Sequence, residues 1–234
     1  MKFLSSTYTG PIHQVNLVKF KKQTKDGRSG ELVYKEYMKR TIELVEKVGG
    51  KMIWIGTPMK EGPLVGTDIW DRILIAEYPS KEVFIKMAAS PDYKSFSHLR
   101  EEALEMAIVP TRDQVLKFLA SPYKGTVHQV NLLKFKDRTV SGVTGEESYK
   151  KYGEKVGKLV QKVGGRIIWV GIPMKEGPLV GTDLWDRMLI VEYPNKEAFV
   201  TMSSSAEYKE IAHLREDSLE IAQLIPTVPL LSKL

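Results

Sequence analysis

The chain has 234 residues, no cysteine, 42% hydrophobic and 27% charged residues, and a formal net charge of +6. Missing thiols exclude disulfides, thiolate nucleophiles and thiolate-bound metals, and no apolar run reaches the length of a membrane span. The start, Met1 to Ser6, lacks the apolar centre of a signal peptide, so a cytoplasmic address is expected. The lysines are dispersed among nearly as many acids. Lys19-Phe20-Lys21-Lys22 and Lys134-Phe135-Lys136 are the densest basic spots. Neither a nucleic acid nor a membrane is therefore expected as partner, whereas a mild attraction for small anions is.

Lys2-Phe3-Leu4 reads as a short strand, and Ile12 to Lys21 as a longer one with Val15, Leu17, Val18 and Phe20. A polar loop runs to Gly30. Tyr34, Tyr37, Leu44, Val45 and Val48 then recur at helical spacing, and Gly49-Gly50 ends that helix. Met52 to Gly56 predicts a strand, 57–68 a loop, and Trp70 to Tyr78 a third strand. Pro79-Ser80 opens a helix with Phe84 and Met87. Ser90-Pro91 opens another, with Tyr93, Phe96, Leu99, Ala103 and Leu104 on one side, and Val115 to Leu119 reads as the last strand.

All of this returns 115 residues later. From Lys2/Lys117 to Ala107/Ala222 the offset holds without a gap, and 63 of 106 pairs are identical. The chain is therefore a tandem duplication, with repeats expected at 2–118 and 117–234 and a linker at 121–125. Each repeat reads β-α-β-β-α-β, the ferredoxin-like α+β unit. Helices on one face of such a sheet leave the other face in need of a partner. The repeats are expected to pack sheet to sheet as a barrel-like pseudo-dimer within the chain, and the chain to be able to form homo-oligomers.

Identity between the copies is uneven. In 57–72, 14 of 16 pairs match, including Pro58 to Asp68 repeated as Pro173 to Asp183; in 32–47 only 6 of 16 match. Two glycines and two prolines would hold a loop shape for structural reasons alone. A loop that covers or lines a site would give the same pattern.

Gly49-Gly50, Tyr78-Pro79-Ser80, Ser90-Pro91-Asp92-Tyr93 and Arg100, with Gly164-Gly165, Tyr193-Pro194, Tyr208 and Arg215 in the second copy, resemble the domain-of-unknown-function family DUF1330. The second copy departs at Ala206, where the first has Pro91. The resemblance implies the dimeric α/β-barrel superfamily, which includes cofactor-independent monooxygenases, isomerases and haem-degrading enzymes. The haem-degrading branch resembles this chain from Lys81 through Ser90 to His98, but Met87 and Met202 stand where it has a tryptophan. Its ligand histidine falls nearest Ser97.

The four histidines form matched pairs, His13/His128 and His98/His213. His13 opens a strand, where a solvated ring is the plain expectation. His98 and His213 precede Glu102 and Asp217 by four residues, the spacing of a surface pair, or else face the sheet as general base or haem ligand. Four scattered histidines do not make a zinc site, so no metal is expected. Asn16 and Asn131 lie mid-strand, where asparagine is disfavoured and a buried amide needs partners. Arg72 and Arg187 share a strand face with Trp70 and Trp185 and suit a carboxylate, or an ion pair with Asp68 or another acid. Tyr37 and Tyr152 join them as candidate substrate contacts, although tyrosines and tryptophans at such positions more often fill a core. The candidates are thus Asn16, His98, Asn131 and His213 for chemistry, and Tyr37, Trp70, Arg72, Tyr152, Trp185 and Arg187 for binding. The expected function is binding of a small aromatic or carboxylate molecule, extending to a cofactor-independent monooxygenase or isomerase. The alternatives are a non-catalytic scaffold and a haem protein; otherwise no cofactor is expected.

Overall fold

In the computed structural model, which describes residues 8–60, 62–64, 70–105, 122–174 and 185–234, both repeats follow the same order of strands and helices, with the last helix split in the first. The first has β1 (Ile12–Phe20), α1 (Gly30–Lys47), β2 (Lys51–Pro58), β3 (Arg72–Tyr78), α2 (Lys81–Ala89), α3 (Pro91–Lys94), α4 (His98–Ala103) and β4 (Leu104–Glu105). The second has β5 (Val127–Phe135), α5 (Gly145–Lys162), β6 (Arg166–Gly171), β7 (Arg187–Tyr193), α6 (Lys196–Ser204), α7 (Ala206–Ser218) and β8 (Leu219–Ser232). The strands expected at Lys2-Phe3-Leu4 and at Val115 to Leu119, residues 61 and 65–68 of the first copy of the repeated loop, and 175–183 of the second lie outside the described residues. No helix among the described residues is long and apolar enough to cross a membrane.

Helix boundaries follow from local chemistry. The Ser29 hydroxyl accepts from Leu32 N at the start of α1, and Thr144 forms a reciprocal capping box with Glu147 at the start of α5. Both helices end in a glycine at positive φ, Gly49 at 79° and Gly164 at 78°. That conformation lets Gly50 N and Gly165 N reach back to Val45 O and Val160 O. The last helical segment differs between copies. In repeat two α7 is continuous; in repeat one it breaks into α3 and α4. There Ser95 Oγ donates to Asp92 O at 2.7 Å and Ser97 Oγ to Lys94 O at 3.5 Å, and Phe96, Leu99 and Arg100 N–H groups bond three residues back. Serines that bond their own turn compete with the helical ladder, and repeat two has Glu210 and Ala212 at those positions.

The chain divides into two units, Met1–Thr57 with Ile69–Ile108 and Leu230–Leu234, and Pro58–Asp68 with Val109–Pro229. In the first, the antiparallel strand order is β4-β1-β3-β2. Lys233 N donates to Ile53 O at 2.9 Å, fastening the end of the chain to β2. In the second, the antiparallel order is β8-β5-β7-β6. The start of the repeated loop belongs here: Met59 N and Leu64 N donate to Pro226 O and Leu224 O of β8 at 2.8 and 2.7 Å.

Register assigns the faces. Asn131 pairs with Leu189 and Leu133 with Arg187. Leu133, Leu189, Val191 and Tyr193 join Tyr149, Tyr152, Met202 and Ile211 in the core between sheet and helices. The equivalent face of the first unit carries Asn16, Val18, Arg72, Leu74 and Tyr78. The opposite face is also buried in each unit, through Trp54, Ile73 and Ile75 in the first and Val130, Leu132, Ile190 and Ile225 in the second. Each fully buried aliphatic side chain contributes about 1.5–3 kcal/mol.

Candidate functional site

An aromatic row lies between the sheet and the first helix of each repeat. Ring centroids are 5.3 Å apart for Phe20 and Tyr34, 5.4 Å for Tyr34 and Tyr37, and 5.9 Å for Tyr37 and Phe96. Repeat two has 5.4 Å for Phe135 and Tyr149 and 5.3 Å for Tyr149 and Tyr152. Two tyrosines three residues apart share a helix face, which is why the row runs along α1 and α5. At its far end the Tyr37 and Tyr93 hydroxyls are 2.9 Å apart, and Tyr152 donates to Tyr208 at 3.3 Å.

An arginine closes the near end. The Arg72 guanidinium stands 5.8 Å from the Phe20 centroid, and its Nη2 donates to Glu31 Oε1 at 2.9 Å. Arg187 stands 5.3 Å from the Phe135 centroid and pairs with Glu146. The arginine side chains are 21% and 20% exposed, their acids 64% and 60%. The carboxylate is thus the member of each pair that solvent reaches. Nε of both arginines is buried without a hydrogen-bond partner, as is the Trp70 indole Nε1 two residues before Arg72.

A second arginine acts on the same row. Burial pushes the Tyr34 hydroxyl up to about 12, with the positive charges of Arg100 and Arg72 opposing it. Burial likewise pushes Tyr149 up to about 12, opposed by Arg215 and Arg187. Tyr37 and Tyr152 are raised further, by burial first and then by the neighbouring phenols. These phenols stay neutral donors at physiological pH. They offer hydrogen bonds beside positive charge and cannot serve as bases.

Trp70-Asp71-Arg72 returns as Trp185-Asp186-Arg187, and its aspartate has a structural part. Asp71 Oδ2 accepts from Phe20 N at 2.7 Å while Asp71 N donates to Val18 O at 2.9 Å, and Asp186 makes the same two bonds to Phe135 and Leu133, both at 2.8 Å. This staple holds the start of the third strand against the end of the first, and so places each arginine over its phenylalanine. Glu31, Asp71, Phe20 and their equivalents are not among the candidate residues that the sequence singles out. Their identity in both copies was the available signal.

Asn16 and Asn131 are on the helix-facing side, on the same sheet face as the arginines, and each Nδ2 turns back to its own strand, to Gln14 O at 3.4 Å and Gln129 O at 3.1 Å. Tyr37 and Tyr152 are buried in the row; Trp70 and Trp185 are partly buried. His98 and His213 are exposed. Asp217, expected to pair with His213, accepts from Val140 N at 3.2 Å instead. The acid found for Arg72 is Glu31; Asp68 lies outside the described residues. A shallow groove of about 390 Å³ along α5, lined by Val143, Glu147, Lys150, Lys151 and Glu154, contains none of the candidates.

His13 and His128 lie on the helix-free face. His13 Nε2 is 3.1 Å from Glu77 Oε2, which Lys51 also contacts through Oε1 at 3.0 Å. His128 and Glu192 repeat the 3.1 Å pair, with Arg166 at 2.8 Å. The solvated ring expected at this position does not hold for His128, which is 1% exposed. Burial lowers its pKa against the raising effect of Glu192. Among the described residues no group of three or more histidines and acids could hold a metal ion.

Gln129, also on the helix-facing side, is 1% exposed, and both its side-chain polar atoms lack partners. An unmet buried amide costs about 1–3 kcal/mol. Gln129→Leu is therefore expected to raise stability in urea by about 1–2 kcal/mol. A loss of similar size would mean that an internal water or ligand holds the amide.

The family model for the domain of unknown function DUF1330 matches residues 30–112 and 139–226, together more than half of the chain. A protein of unknown function from Rhodopseudomonas palustris is 31% identical, with a TM-score of 0.47, covering 50% of this chain and 92% of that one. A candidate monooxygenase from Fusobacterium nucleatum is 13% identical, with a TM-score of 0.55, covering 96% of this chain and 94% of that one. A chlorite dismutase variant from Candidatus Nitrospira defluvii is 12% identical, with a TM-score of 0.54 and coverage of 96% and 94%. The last two likenesses concern the fold. Comparison with curated proteins returned no match.

Proposed function

The chain belongs to the DUF1330 family in both of its repeats, and from that premise we propose that it binds a small aromatic carboxylate, with one equivalent site per repeat at Arg72 and Arg187. One observation carries the reading. A mostly buried guanidinium, stacked on an aromatic ring and with an unmet Nε–H, is held in each repeat by a carboxylate that solvent reaches. A ligand carboxylate would displace Glu31 or Glu146 and engage the guanidinium through two parallel bonds, which the resident acid does not do. The ligand's ring would extend the aromatic row beside Phe20 or Phe135.

Calorimetric titration with benzoate tests this. Hydrogen bonds to charged groups contribute about 1.5–3 kcal/mol, so Arg72→Ala/Arg187→Ala is expected to weaken binding about tenfold or more. Glu31→Gln/Glu146→Gln, which removes the resident competitor, is expected to tighten it. Undiminished binding by the arginine variant would sink the reading, and no binding by the unaltered protein would favour a non-catalytic scaffold.

Turnover of the ligand, as a cofactor-independent oxygenation or isomerisation, would draw on Asn16 and Asn131, which share the arginines' sheet face. Haem finds less support. An axial histidine inside the helix–sheet layer would have to come from His98 or His213, and both are exposed. The repeat boundaries 2–118 and 117–234 and a sheet-to-sheet pseudo-dimer belong to this proposal too.

A further inference from the structure

We propose that the site takes an oxyanion carrying two negative charges, a phosphate monoester or a compact dicarboxylate, held by Arg187 with Arg215 in repeat two and by Arg72 with Arg100 in repeat one. This rests on reading Arg72 and Arg187 as anion anchors and adds the ligand's charge.

In repeat two, Arg187 Nε and Arg215 Nη2 are both buried and both lack an acceptor. The two guanidiniums belong to different elements, β7 and α7, yet act on one hydroxyl, that of Tyr149. Packing explains the convergence. Arg187 stands over Phe135, whose ring lies 5.4 Å from Tyr149. Ser148, one residue before Tyr149, donates through Oγ to Leu214 O at 3.4 Å, one residue before Arg215. In repeat one Arg72 stands over Phe20, whose ring lies 5.3 Å from Tyr34, and Arg100 and Arg72 both act on the Tyr34 hydroxyl, with Val33 in place of Ser148.

Among the described residues Glu146 pairs with Arg187, Asp186 with Lys134, and Asp217 accepts from Val140 N, so the Arg215 guanidinium has no carboxylate of its own. A monocarboxylate that displaces the glutamate only restores the present count, whereas a dianion neutralises both arginines. It also supplies enough oxygens to meet both unsatisfied guanidinium N–H groups and the neutral tyrosine hydroxyl.

The test is calorimetric titration of the full chain at pH 8 and fixed ionic strength with benzoate, phthalate and phenyl phosphate. Phthalate or phenyl phosphate is expected to bind at least about tenfold more tightly than benzoate, and Arg100→Gln/Arg215→Gln to close that margin. Arg100→Lys/Arg215→Lys, which keeps the charge, is expected to keep part of it, and decides the matter if the glutamine variant does not fold. Benzoate binding without a dianion advantage, an advantage that survives the glutamine variant, or a margin lost entirely in the lysine variant overturns this inference and leaves the proposed function standing. No binding of any of the three ligands overturns both.

Discussion

Trp54→Ala is expected to destabilise the protein by about 3–5 kcal/mol, the range for truncating a fully buried large aromatic side chain. Trp54 has no exposed surface and sits on the helix-free face of β2 opposite Ile75, itself fully buried. Its neighbour Ile53 accepts the bond from Lys233 N that fastens the chain end to this strand. The matched substitution, Trp169→Ala, is expected to cost markedly less. Trp169 is partly exposed, its ring leans over Gly171, and Ile167 and Val170 on the same strand are 50% and 54% exposed. Urea unfolding followed by far-ultraviolet circular dichroism measures both. Equal losses would show that local sequence, which is the same Ile-Trp pair in each copy, sets the energetics.

Gly145→Ala is expected to cost about 3 kcal/mol, at the upper end for forcing extra volume into a packed position. A Cβ there would lie 2.3 Å from Ser218 O and 2.7 Å from both N and O of Lys136. All three are backbone atoms, and none can swing aside. Lys136 N donates to Ser218 O at 3.0 Å and Gly145 N donates to Lys136 O at 2.9 Å, so the end of β5, the end of α7 and the start of α5 meet at one point. Gly30 occupies the same junction, where a Cβ would lie 2.4 Å from Ala103 O. Gly153→Ala is the control. Nothing lies within 4 Å of its Cβ, and within a helix alanine is favoured over glycine by about 1 kcal/mol, so stability should rise. Thermal melts of the two variants should move in opposite directions. A neutral Gly145→Ala would mean that the junction yields.

Much of the candidate site was written locally. Tyr34 and Tyr37 recur at helical spacing, and so do Tyr149 and Tyr152, so the row on α1 and α5 is legible from periodicity. Arg72 was legible as a charged residue on an aromatic face. Its partner was not, because Glu31 lies 41 residues earlier and on another element. His13 and Glu77, 64 residues apart, were beyond reach for the same reason. His98 shows the converse: helical spacing allows a face to be drawn, but which side meets solvent depends on what packs against the helix.

By itself the sequence determined the duplication, the order of strands and helices, the serine and threonine caps, and the glycines at positive φ that end α1 and α5. Each of these rests on interactions within about one helical turn, whose geometry the chain carries wherever it goes. Only the tertiary structure decided which acid meets Arg72, which glycine sits at a three-way backbone junction, why Trp54 is buried and Trp169 is not, and that Met59 and Leu64 bond to β8 in the second unit rather than to their own repeat. Those outcomes depend on strand register and chain closure. Two identical local sequences can therefore end in different surroundings.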